Sequence, residues 1–73
     1  MTKEEFLKKL QEAIGTTVVL SAETELAALP EWDSLGVVST ISMIENEFKI
    51  SLNYAEMDKM KYVKDLIEKL DIQ

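Results

Sequence analysis

Ser34 is the residue with the clearest chemical option, and Asp33 stands directly before it. A serine hydroxyl is a weak nucleophile and needs an adjacent base to act as one. The chain has no histidine, so the usual base near neutral pH and the commonest metal ligand are missing. It has no cysteine either, which removes disulfides, thiolate metal sites and a thiol nucleophile. Glu45 and Glu47 are two residues apart on a predicted helix and point to different faces, so they do not form an acid–base pair. Glu31 and Asp33 offer two exposed carboxylates, a weak set for a divalent ion. With glycine only at positions 15 and 36, no phosphate-cradling loop is present. The remaining chemical use of Ser34 is to be acted upon by another enzyme that supplies the base and the metal. The alternative is an ordinary first-turn residue or a second capping group.

The helix that positions this serine is predicted over Ser34 to Phe48. Asp is a favoured N-cap because its carboxylate accepts from an orphan backbone N–H, and Pro30 ends the preceding segment. Ser34 then falls in the first turn, where a phosphate on its hydroxyl would meet partial positive charge. Leu35, Val38, Ile41, Ile44 and Phe48 recur at spacings of three or four, with Glu45 in the same stripe, and predict the core face. Gly36 costs roughly 1 kcal/mol of helix propensity relative to alanine. It either leaves room for something docking there or is a tolerated end-of-helix glycine.

The other elements follow from caps and periodicity. Thr2-Lys3-Glu4-Glu5 is a capping box, Phe6, Leu7, Leu10 and Ile14 form one stripe, and Gly15 is a stop. The first helix therefore spans Lys3 to Ile14. Thr16 to Trp32 is a long connection. Thr17 to Leu20 is strand-like but has no partner, so it reads as extended loop. A short helical turn is expected from about Ser21, with Leu26 and Leu29 inward, because structureless loops of this length are uncommon. Trp32 is expected to anchor this loop. Asn53 and Glu56 form a second capping box and start a short third helix to about Met60. The last helix runs from Tyr62 or Val63 to Leu70, with Val63, Leu66, Ile67 and Leu70 inward. The expected fold is all-α: a small four-helix bundle with a long loop between helices 1 and 2 and a short helix 3.

Size and charge set further bounds. Seventy-three residues (1–73) make one domain with a small core. With 47% apolar and 30% charged residues the chain is globular rather than disordered. No apolar run approaches the roughly 20 residues of a membrane span and no signal-peptide core is present, so the default expectation is a soluble, cytoplasmic protein. The net charge of −6 is concentrated between Glu31 and Asp58, which carry six acids and one base. Such a surface disfavours nucleic acid and anionic membranes and suits partners with basic patches, or serves solubility alone.

The chain resembles the acyl carrier protein family over nearly its whole length. The likeness rests on Asp33-Ser34-Leu35 ahead of an amphipathic helix, on the Ile44-Glu45-Asn46-Glu47-Phe48 helix end, and on the spacing to Val63 and Leu66. The resemblance implies the acyl-carrier type of helical bundle. It implies that Ser34, beside its cap Asp33, carries a 4'-phosphopantetheine arm derived from coenzyme A, whose thiol holds acyl or aminoacyl cargo as a thioester. The chain is then no enzyme but the substrate of a phosphopantetheinyl transferase, and a monomer. Its further partners are a loading ligase and downstream transferases with basic docking patches. Leu35, Val38, Glu45, Glu47, Glu56 and Met57 match partner-contact positions, and association is expected to slow with salt.

Gly36, Ser39 and Asn46 stand where fatty-acid carriers place acids, Ser42 where they often have an apolar contact, and Trp32 where a small residue is usual. These departures point to stand-alone carriers of specialised pathways. Val38, Ile41, Leu52, Ala55, Met57 and Met60 either line a cargo gap or are plain core. Helices near both ends favour a free-standing protein. The alternative from another class is an unmodified helical adaptor that uses the acidic second helix to bind a partner.

Overall fold

The computed structural model describes residues 1–72. It contains four helices, α1 (Lys3–Ile14), α2 (Ser34–Phe48), α3 (Tyr54–Asp58) and α4 (Val63–Lys69), and a 3-10 turn at Leu26–Ala28. Among the described residues there is no strand, only one isolated bridge between Glu25 and Tyr62. The molecule measures 27 × 23 × 18 Å.

The caps act where their spacing predicts. The Glu5 N–H donates to Thr2 Oγ1 and the Thr2 N–H to Glu5 Oε1. Gly15 closes α1 in the left-handed region (φ 81°), with its N–H on the Gln11 carbonyl. At α3 the Glu56 N–H donates to Asn53 Oδ1 (2.8 Å), and Glu56 Oε1 accepts from the Asn53 N–H. α3 stops at Asp58 and α4 at Lys69, one or two residues short of expectation, as fraying ends do. The start of α4 is fixed by Asp65, whose Oδ2 accepts from the N–H groups of both Lys61 and Tyr62 at 2.9 Å.

The core gathers Phe6, Leu10, Ile14, Leu20, Leu26, Leu29, Val37, Ile44, Leu52, Met57, Val63, Leu66, Ile67 and Ile72. α1 and α3 both pack against α2. Phe6 and Phe48 meet edge to face, 6.2 Å between centroids, within the favourable range for aromatic pairs.

The inward face of α2 differs from the expected stripe. Gly36, Val37, Thr40 and Ile44 are buried, Ile41 and Phe48 are half-buried, and Leu35, Val38 and Glu45 are exposed. Two residues that look unsuited to a core turn the helix. Gly36 has no side chain and accepts the Glu31 backbone against its Cα. Thr40 is fully buried because its hydroxyl donates to the Gly36 carbonyl at 2.8 Å, so no polar atom is left unpaired.

The long connection is stitched to the start of α4. The Leu26 N–H donates to the Lys61 carbonyl, Val63 to Thr24 and Lys64 to Ala22, at 2.9–3.0 Å. Leu26 and Leu29 face inward as expected, and Trp32 packs partly buried against the core.

Candidate functional site

Ser34 is the first residue of α2 and is exposed. Asp33 stays extended (φ −114°, ψ −168°), and its carboxylate accepts the Gly36 N–H at 3.0 Å. The Asp33 carbonyl accepts the Val37 N–H, the first bond of the helix. The N–H groups of Ser34 and Leu35 remain at the helix mouth, where anions are favoured.

The approach to Ser34 is held by contacts on both sides of it. Leu29 is buried, and its carbonyl accepts the Trp32 N–H at 3.0 Å. The Glu31 carbonyl then lies directly over Gly36, close enough that a methyl group there would penetrate its van der Waals surface. The space at Gly36 is therefore filled by the chain's own backbone. Neither room for a docking group nor a merely tolerated glycine describes it.

The acids matched to partner contacts all have intramolecular neighbours. Glu47 Oε1 pairs with Lys9 Nζ at 3.2 Å, and Glu56 Oε2 pairs with Lys69 Nζ at 3.5 Å. Glu45 Oε2 accepts the Ser51 hydroxyl at 3.2 Å. Met57 is fully buried, so it belongs to the core rather than to a contact surface. Leu35 is 78% exposed and Val38 51%, beside Ser34 on the outer face of α2.

The six residues considered for a cargo gap do not form one lining. Leu52 and Met57 are buried, Ile41 and Met60 half-buried, and Val38 and Ala55 exposed. Of the six, Met60 alone borders a surface depression, shared with Glu25, Ala27, Asp58, Lys61 and Tyr62 and not with the other five. Another, of about 380 Å³, sits between α1 and α2, lined by Lys9, Glu12, Ala13, Ser39, Met43, Asn46 and Glu47.

Two carboxylates titrate below their usual range, both through backbone hydrogen bonds at helix starts. Glu5 is lowered by its bond with the Thr2 backbone, and Asp65 by those with Tyr62 and Lys61. Sequence reasoning missed Asp65 as a cap and Thr40 as a core residue. Asp65 follows Tyr62 by three residues, the capping-box spacing without a Ser, Thr, Asp or Asn to announce it. Thr40 follows Gly36 by four, the spacing at which a threonine hydroxyl reaches a helix carbonyl.

Among the described residues, no three His, Cys, Asp or Glu side chains are grouped to hold a metal ion. None of the described helices is long and apolar enough to cross a membrane. Comparison with protein-family models, with curated proteins and with solved structures returns no match, so what this chain does has to follow from its own residues and geometry.

Proposed function

We propose that this chain is an acyl or aminoacyl carrier protein that bears a phosphopantetheine arm on Ser34 and serves a specialised cytoplasmic pathway. The observation that carries the reading is an exposed serine held as the first residue of the central helix, in a chain with neither cysteine nor histidine. Such a serine lacks the base it would need to act as a nucleophile of its own. It is open, and its position is fixed by the Asp33 cap and by the Glu31 backbone seated on Gly36.

The residues present fit the arm. Ser34 is exposed, and the N–H groups of Ser34 and Leu35 give a phosphodiester a favourable electrostatic setting. When attached, the arm supplies the thiol that this chain lacks and holds cargo as a thioester. Ser34 contributes the oxygen, Asp33 keeps the first turn formed around it, and base and metal come from the transferase. The bundle of four helices, with its long first connection and short α3, supports the same reading.

The test is intact mass. Incubation with coenzyme A and a broad-specificity phosphopantetheinyl transferase should add one arm to the wild-type chain and none to Ser34→Ala. A wild-type chain that gains no mass would overturn the carrier reading and leave the unmodified adaptor.

A further inference from the structure

The charge of this chain is divided between its two ends. From Met1 to Ala22, Lys3, Lys8 and Lys9 balance Glu4, Glu5 and Glu12, so the whole net charge of −6 lies from Glu23 onward. Gly15 to Ala22 carries no charged residue at all. α1 buries Phe6, Leu10 and Ile14. Glu4, Leu7, Lys8 and Gln11, at i, i+3, i+4 and i+7, share a different face of it. Together with Val19 and Leu20 of the first connection they line a hollow of about 340 Å³. Leu20 is buried and Leu7 half-buried, while Val19 beside them is 85% exposed. Among the described residues no large apolar side chain is more exposed than Val19.

We propose that a second copy of this chain covers this face, in a two-fold dimer that seats Val19 of each copy in the hollow of the other. The inference stands independently of the carrier reading, and it departs from the monomer that the family resemblance implies.

Self-complementarity in shape and in charge carries it. A two-fold contact needs a projection and its socket on one and the same surface. This face has both, with Val19 standing beside the hollow that Leu7 and Leu20 line. It also bears one acid and one base a helical turn apart. Neither Glu4 nor Lys8 takes part in the two ion pairs formed among the described residues. With the two α1 helices antiparallel across the axis, Glu4 of each copy faces Lys8 of the other. A neutral face is also where two chains of charge −6 meet with least repulsion. Contact through α2 would instead bring together the acid-rich spans from Glu31 to Asp58. No residue of α2 lines the hollow, so the pairing leaves Ser34 open and each dimer offers two of them. The patch is a small part of a molecule of 27 × 23 × 18 Å, which places the dimer in the weak, transient class.

Sedimentation equilibrium of the full chain tests it, from about 20 µM to about 2 mM. The weight-average mass should rise from 8.3 kDa toward twice that value, with a Kd of about 0.1–1 mM. Val19→Lys removes two buried valines per dimer and sets two like charges near the axis, so it should weaken association at least tenfold. Val19 is exposed, so the thermal melt of this variant should match the wild type. Lys8→Glu should also weaken association, and the swap Glu4→Lys/Lys8→Glu should recover it, as a general loss of structure would not. Leu35→Ser, on the exposed face of α2, should leave association unchanged.

A mass that stays at 8.3 kDa up to about 2 mM would overturn the dimer. So would a Val19→Lys chain that associates like the wild type, or a Leu35→Ser chain that no longer associates. A mass that climbs past the dimer would overturn the closed two-fold pairing, and a charge swap no better than Lys8→Glu would overturn the Glu4–Lys8 contact. Whether Ser34 accepts an arm bears on the carrier reading alone.

Discussion

Gly36 shows how one residue can look expendable and be essential. On helix propensity alone, Gly36→Ala would stabilise α2 by roughly 1 kcal/mol. The Glu31 carbonyl lies where the new methyl would go, and backbone cannot swing aside as a long side chain can. Overpacking of this kind costs about 1–3 kcal/mol. We therefore predict net destabilisation by Gly36→Ala, read as a lower urea midpoint. A midpoint at or above wild type would show that the Glu31 turn moves away freely. Because that turn leads into Asp33, the same close approach that excludes alanine also sets where Ser34 emerges.

At the scale of elements, each helix start is an electrostatic device. The Asp65 carboxylate is held below its usual range by the N–H groups of Tyr62 and Lys61. A carboxylate whose pKa is lower folded than unfolded stabilises the fold fully above the unfolded value and loses that contribution as pH falls through the folded one. Asp65→Asn should therefore lower the urea midpoint at neutral pH, and its gap from wild type should close in acid, below the ordinary aspartate range. With no histidine in the chain, the gap should stay constant between about pH 6 and pH 8. A gap that persists unchanged into strong acid would mean that Asp65 acts by shape and not by charge. Glu5 at α1 follows the same sign.

Across the whole molecule, stability is small enough for one core side chain to matter. A domain of 73 residues is worth roughly 4–11 kcal/mol in all. Leu26 belongs to a 3-10 turn in the long connection, yet it is fully buried, and its N–H is bonded to the Lys61 carbonyl. Leu26→Ala should cost about 2–5 kcal/mol, as a core residue does, and should show as a sharply lower thermal midpoint by circular dichroism. A shift as small as that of an exposed loop residue would mean that the connection is not part of the core. The turn ties the first half of the chain to the start of α4, so its loss is expected to lower the single cooperative transition and not to fray one end.

The sequence by itself determined where α1 and α2 begin and end, that Asp33 caps the central helix, and that Ser34 follows it without a histidine or cysteine to work with. These are matters of composition and of contacts three or four residues apart, such as Thr2 with Glu5 and Asp33 with Gly36. Tertiary structure alone decided which face of α2 turns inward. Gly36 and Thr40 read as gaps in an apolar stripe until the Glu31 backbone and the Gly36 carbonyl occupy and satisfy them, which leaves Leu35 and Val38 outside. It also decided the partners of the acids and the stitching of Thr24 and Leu26 to α4. Lys9 and Glu47, or Leu26 and Lys61, are brought together by chain folding across more than thirty residues, and no local periodicity encodes that distance.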